Sequence, residues 1–479
     1  MIKRPRLILG LALSPVSRLI SIATFTACLP IFFTACSFQK YTPKPITPLV
    51  NAAKFELKDP SSEQFHQYLL NNGYTADRLP LRQWGIDELT YCALFFHPRL
   101  DVARAQWRAA EVAEVAAAEK LRPTANGSIA HSDDSDPTKK PFAFGLSIDI
   151  PIETANKRDI RIENARHLSQ AAKLEIAQTA WQLRNNLAQT LAEYQFNQQQ
   201  VQLLTDEETR RQEIVAIYQK RVSLGMASNV ELSTASLQLQ STTSSLNAKK
   251  QNALMLLSRL ASNLGLPLSK VENMQLVSDT DKQQVDELQT ASLQATALLN
   301  RLDIRIALER YAAAEAKLKL EIAKQYPDLV ISPGYAFEFG DNVWSLGLSG
   351  LLTLLNKNKA GIAEATQLRE VEAAQFEALQ SKVISEANIA NAELMQAKLV
   401  LTNQQKLLEQ QQANTQRMSR MFTAGEIDRL ELAFIKLENI AAEKNVALAH
   451  FQLTTALNQL ENTLQKPLTG PGVKDGGEK

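Results

Sequence analysis

Five histidines, His66, His97, His131, His167 and His450, are the side chains best suited to metal ligation or proton transfer near neutral pH, and they lie scattered with no HExxH or CxxC spacing around them. No P-loop, GxGxxG or GxSxG stands at a strand-to-helix turn. The carboxylates Asp133, Asp134 and Asp136 could attract a cation, but they sit in the run DDSDPTKK, which has the composition of a solvated loop. Two other polar groups each follow a glycine: Ser228 or Asn229, with Glu231, come after Gly225, and Asp428 and Glu431 come after Gly425. Such residues cap helix N-termini and suit the helix dipole. These patterns predict no catalytic residue, no metal, no cofactor and hence no enzyme.

The elements that hold these residues are long helices. Ala, Leu, Gln and Glu are abundant and aromatic residues make up 6% of the chain, the composition of helical rods and coiled coils. The 52 Lys and Arg nearly balance the 51 Asp and Glu, which argues against a nucleic-acid partner. At the N-terminus Lys3, Arg4 and Arg6 precede a mostly apolar stretch ending in small residues, so residues 1–35 read as an export signal. Phe33-Thr34-Ala35-Cys36 resembles a bacterial lipobox, which would make Cys36 a lipid-modified first residue. A second FTAC ends at Cys28, but cleavage there would leave an apolar tail, whereas Cys36 precedes the Pro-rich SFQKYTPKPITP, suited to a flexible tether. Residues 36–84 are expected to form that tether and a segment wrapping the surface. Cys92 would be the one thiol of the mature body, expected as a small buried residue.

Two stretches alternate as strands do. In Phe142–Ile152, Phe142, Phe144, Leu146 and Ile148 point to one face while Ala143, Gly145, Ser147 and Asp149 point to the other. About 200 residues later Val343–Leu354 sets Trp344, Leu346 and Leu348 against Ser345, Gly347 and Ser349. Each follows a weaker strand, Thr124–Ser132 and Asp328–Gly340, and each leads into a proline-free rod that would be about 100 Å long as a helix. In the first rod Leu183, Leu187, Tyr194, Val201 and Leu204 keep near-heptad spacing; in the second Val383, Ala387, Ala390, Leu394, Ala397 and Leu401 do so. Gly225 and Gly425 mark tight reversals into returning helices. The chain therefore repeats, over residues 85–270 and 271–466, the order helix, strand pair, long helical hairpin, with 467–479 as a disordered tail.

The oily strand faces have no matching helix pattern to cover them, so behind an export signal their natural solvent is lipid. Strands cross lipid only as a closed barrel, and four are too few to close one. Several chains must contribute. The openings PRLDVARAQWRAAEVA and NRLDIRIALERYAAAEAKLKL, the strands QYPDLVISPGY and WSLGLSGLL, and the turns at Gly225 and Gly425 resemble the outer-membrane efflux proteins of the TolC family, in its lipoprotein branch. The resemblance implies a mostly α protein with membrane β-structure: a homotrimer whose strands form one twelve-stranded barrel among outer-membrane lipid, continued by a periplasmic α-helical barrel. It implies a passive exit duct for a tripartite efflux or type I secretion system, opened when a periplasmic adaptor protein and an inner-membrane transporter dock. It places Gly225, Asn229, Glu231, Gly425, Asp428 and Glu431 at the periplasmic tips, where a ring of carboxylates would narrow the pore and attract cations. A periplasmic adaptor or a coiled-coil scaffold lipoprotein is the rival reading. An adaptor should have one hairpin, and a scaffold leaves the alternating strands unexplained.

Overall fold

The computed structural model describes residues 39–133, 140–277, 290–350 and 357–468. Cys36, Asp134, Asp136, the end of the strand expected to reach Leu354 and the tail from 469 lie outside the described residues. The chain divides into two units, Met1–Phe55 and Glu56–Lys479. Helix α1 (Pro48–Glu56), which ends at that boundary, buries none of its residues.

The second unit opens with α2 (Glu63–Asn71), a 3-10 turn at Ala76–Arg78, α3 (Ile86–Phe96) and α4 (Pro98–Ala117). Pro98 is expected to kink or divide the helical pattern that begins near Gly85, and the structure divides it there. His97 is extended, its Nδ1 accepts from Arg99 N at 3.1 Å, and Pro98 takes the first helical position, where a missing N–H costs nothing. Strands β1 (Thr124–His131) and β2 (Phe142–Ile152) follow, then α5 (Lys157–Ser223), α6 (Asn229–Leu264) and the short α7 (Leu268–Val271). The second half repeats the order: α8 (Thr290–Asn300), α9 (Leu302–Ala323), β3 (Leu329–Glu338), β4 (Asp341–Gly350), α10 (Lys359–Ala424) and α11 (Arg429–Leu464).

The rods α5 and α10 have 67 and 66 residues. Each is about 100 Å long, and no single returning helix matches it. Two shorter helices placed end to end do so instead. Gly265 caps α6 at φ 71°, so close to the α3–α4 break that a Cβ there would lie 2.8 Å from His97 Cα. Lys58 Nζ donates to two helix-end carbonyls at this meeting point, Phe96 O at 2.6 Å and Gly265 O at 3.1 Å. In the second half Gln465 caps α11, and its Oε1 accepts from Leu302 N at the start of α9, at 2.6 Å.

Apolar burial concentrates around these meeting points. Phe65, Leu69, Leu89 and Cys92 are fully buried with Leu187 of α5 and Leu260 of α6. The segment before residue 85 thus supplies core as well as surface, because Phe65 and Leu69 stand four apart on one face of α2. Burial also pushes the Cys92 thiol far above its ordinary pKa, which keeps it protonated and inert. The heptad residues Val383, Ala387, Ala390, Leu394, Ala397 and Leu401 are all buried in a second cluster against α11. Small Ala side chains there let the paired helices approach closely.

Candidate functional site

The four strands form one antiparallel sheet in the order β1-β2-β3-β4. Its register aligns the aromatic residues and most of the large aliphatic ones on one side: Ile129 faces Phe144, which faces Phe337, while Leu146 faces Tyr335, which faces Trp344. The expected residues Phe142, Phe144, Leu146, Ile148, Trp344, Leu346 and Leu348 all lie exposed on this side, Trp344, Leu346 and Leu348 at 81%, 75% and 72%. Among the described residues no helix covers them. Strand β1, the weakest in the sequence, pairs with β2 from Thr124 to His131 and adds Ala125, Gly127 and Ile129 to the oily face.

The other face is small and polar. Asn126, Ser128, Ser147, Asp149, Ser332 and Ser345 project from it among glycines. A Cβ on Gly145 would lie 2.7 Å from Ser128 Oγ, and one on Gly334 would lie 2.7 Å from Ser345 Oγ. Side chains thus crowd across strands on the polar side, while the opposite side carries aromatic pairs such as Tyr335–Trp344, with centroids 4.9 Å apart. Among the described residues the outer edges of β1 and β4 have no strand partner.

Sheet and rods are firmly joined. Ala155-Asn156 and Lys357-Asn358, just before the two rods, are left-handed, with φ between 47° and 56°. This double reversal turns each strand end into a helix start. The buried Lys157 donates to Tyr326 O at 2.5 Å and Asp328 Oδ1 at 2.7 Å, and Arg158 Nε donates to Ala118 O at 2.7 Å beyond the end of α4. Asn358 Nδ2 makes the equivalent contact with Glu321 O at 2.9 Å.

At the far end of the rods stand the two glycine turns. Gly225 and Gly425 have φ of 67° and 79°, and a Cβ at either would meet nothing within 4 Å. Backbone conformation, not space, requires glycine there. Ser228 caps α6, with Asn229 its first residue. Ser228 Oγ accepts from Glu231 N at 3.2 Å and Glu231 Oε2 accepts from Ser228 N at 2.7 Å, a reciprocal capping box. Asp428 caps α11, its Oδ1 accepting from Leu430 N at 2.7 Å and Glu431 N at 2.9 Å, while its Oδ2 accepts from Arg221 Nη2 at 2.8 Å.

Arg221 lies on α5, so this last contact ties one hairpin to the other. Two more ties follow along α5 and α11: Arg429 Nε donates to Glu213 Oε1 at 2.7 Å, and Lys444 pairs with Glu207, which also accepts from Arg211 at 2.7 Å. Ile214, Val215, Ala235, Leu430 and Ala433 form an apolar cluster between them. The Glu431 amide and Arg221 hold Asp428 below the usual carboxylate range, and Arg429 and Arg210 do the same for Glu213. Burial opposes the charge of Glu207, but Lys444 and Arg211 outweigh it and keep that carboxylate low as well. The sequence pattern points to the capping residues but not to Arg221, Glu213, Arg429, Glu207 or Lys444. Partners more than 200 residues apart in different hairpins leave no local signal. Higher on the same seam Arg184 Nη1 meets Glu461 Oε2 at 3.2 Å, both side chains almost wholly buried.

Among the described residues no helix is long and apolar enough to cross a membrane, and no group of three or more His, Cys, Asp or Glu is placed to hold a metal. Residues 90–266, from α3 to just past α6, match the family model described as outer membrane efflux protein. That stretch of the chain is similar to the outer membrane efflux proteins. Three solved structures show the same fold at low identity. The outer-membrane channel OprN is 18% identical with a TM-score of 0.67, over 90% of this chain and 99% of its own. The outer membrane protein VceC of Vibrio cholerae is 15% identical with a TM-score of 0.65, over 80% and 97%. The MtrE outer membrane channel of Neisseria gonorrhoeae, in its open state, is 16% identical with a TM-score of 0.62, over 80% and 89%. No curated protein sequence matches the chain. The fold is thus that of these outer-membrane proteins, mostly helical with a four-stranded antiparallel sheet.

Proposed function

We propose that three copies of this chain close their sheets into one twelve-stranded barrel in the bacterial outer membrane, and that the helical hairpins continue it as a duct through the periplasm. The observation that carries this reading is the open sheet itself, with two unpaired edges, an uncovered oily face and a crowded polar one. In lipid, pairing β4 of one copy with β1 of the next satisfies every edge amide and leaves no edge. The polar rods then stand in water, and exposed apolar residues on α6 (Val230, Leu237, Leu254) and α10 (Ile389, Leu399, Leu407) become contacts between copies. The duct is passive and serves as the exit of a tripartite efflux or type I secretion system. A periplasmic adaptor meets the tips around Gly225 and Gly425, and an inner-membrane transporter supplies the energy. The test is reconstitution of the purified chain in a planar bilayer, where heat-sensitive trimers should give discrete conductance steps. A chain that stays monomeric in outer membranes and conducts nothing would favour the scaffold reading.

The tip contacts then act as a latch between hairpins, and Asp428 serves it as a paired cap rather than as a free carboxylate in a ring. Reversing both cations, Arg221→Glu with Arg429→Glu, should raise mean conductance severalfold. The latch should also respond to acid. Carboxylates whose folded pKa is depressed stabilise their contacts fully above the unfolded values of about 4, and that stabilisation is lost as the pH falls through the lower folded values. Conductance of the unmodified channel is expected to rise below about pH 4. The double variant, lacking the latch, should show no such rise, and a rise of equal size in both would reject the latch.

A lipid anchor at Cys36 fits the same geometry. Helix α4 has 20 residues and rises about 30 Å from the Lys58 contact to the sheet. Residues 37–57, nine of them in α1, can span up to about 50 Å. The chain from Lys58 is therefore long enough to bring Cys36 to the membrane. Radiolabelled fatty acid should be incorporated by the unmodified chain and lost in Cys36→Ser; retention of label in that variant would reject the site.

A further inference from the structure

The four described strands contain no lysine or arginine, and their three acidic residues, Asp149, Glu338 and Asp341, all project from the polar face. The basic side chains at the sheet's ends are engaged elsewhere: Lys157, at the junction with α5, pairs with Asp328 at 2.7 Å, and Arg161 pairs with Glu153. Lys140, just before β2, lies with its amine 5.2 Å from the Phe337 ring centroid on the oily face. Glu338 and Asp341 face each other across the β3–β4 turn, at the sheet's far rim. Asp149 is different, standing near the end of β2 that leads into α5, where the sheet meets the helices. It is held from both neighbouring strands: Asn126 Nδ2 donates to Oδ2 at 2.7 Å and Ser332 Oγ donates to Oδ1 at 2.6 Å. All of its recorded donors are neutral, unlike those of Asp428, whose charge is offset by Arg221.

We infer that Asp149 is the residue that gives the channel its preference for cationic solutes, acting from the base of the barrel rather than from the tips. This rests on the trimeric barrel proposed above. Twelve strands about 4.8 Å apart and tilted about 40° enclose a backbone cylinder roughly 24 Å across. Three fixed carboxylates on the wall of such a pore act across its whole section when the screening length exceeds the pore radius. That holds at about 0.01 M salt, where the screening length is about 30 Å, and fails at 1 M, where it is about 3 Å. The preference is therefore strong in dilute electrolyte and absent in concentrated electrolyte. A merely structural carboxylate would show no such salt dependence.

Reversal potentials of the reconstituted trimer in potassium chloride gradients provide the test. The unmodified channel should favour potassium at about 0.01 M and show no preference at 1 M. Asp149→Asn keeps the shape and the Ser332 contact but removes the charge, and should lower the dilute-salt permeability ratio at least about twofold, with Asp149→Lys carrying it towards chloride. Ser332→Ala, which loosens the carboxylate but keeps its charge, should leave the ratio near that of the unmodified channel. Normal conductance steps with a ratio unmoved by Asp149→Asn would overturn this inference alone. An unmodified chain that forms no trimers and no steps would overturn the barrel and the inference with it.

Discussion

Leu346→Arg is expected to abolish assembly of the proposed outer-membrane trimer, whereas Ser345→Arg, one residue away, is expected to leave it intact. Leu346 is 75% exposed on the oily face, and the adjacent Ser345 projects from the polar face beside Gly334. Arginine on the lipid side of a barrel strand costs about 2–4 kcal/mol near the bilayer midplane. Threefold repetition makes that about 6–12 kcal/mol for the assembled barrel, comparable to the whole stability of an ordinary domain. On the lumen side the same arginine stays in water and costs little. The readout is the heat-sensitive trimer band from isolated outer membranes. Equal loss in both variants would mean that both faces are buried in protein, and equal tolerance would mean that neither meets lipid; either result would sink the barrel.

The second large effect is expected at the buried pair on the α5–α11 seam. Arg184 and Glu461 have side chains only 5% and 3% exposed, and Glu461 Oε1 also accepts from Leu468 N at 3.0 Å. Glu461→Leu leaves the guanidinium desolvated without its carboxylate and should destabilise the protein by about 3–5 kcal/mol. Arg184→Met combined with Glu461→Leu removes both charges and should recover most of that loss, because a buried pair itself contributes little over apolar packing. Denaturation midpoints of the single and double variants give the coupling directly. Independent, additive losses would show that the two residues do not act as a pair. The stacked Phe196–Phe451 rings, with centroids 4.6 Å apart on the same seam, should hold the helices in register in the double variant.

Much of this architecture is legible in the residues because it depends on local periodicity. A period of two in Phe142–Ile152 makes a strand with one oily face whatever lies beside it, and a near-heptad run from Val383 to Leu401 makes a helix that must pair. Gly225 and Gly425 announce the turns because left-handed backbone favours glycine, and Ser228 and Asp428 announce the helix starts because they satisfy free amides. The repetition of these signals exposes the twofold internal plan. Tertiary structure alone decided what depends on contacts between distant segments. It set the strand register that aligns Gly127, Leu146, Tyr335 and Trp344 on one face. It drew Phe65 and Leu69 into the core from a segment whose mixed composition reads in sequence as a surface wrap. It paired the helix cap Asp428 with Arg221 on another hairpin. Local sequence carries the conformation of each segment, since steric and capping preferences act within a few residues. The choice of partner is a free-energy comparison among all the surfaces that the folded chain brings together, and no short stretch of sequence contains it.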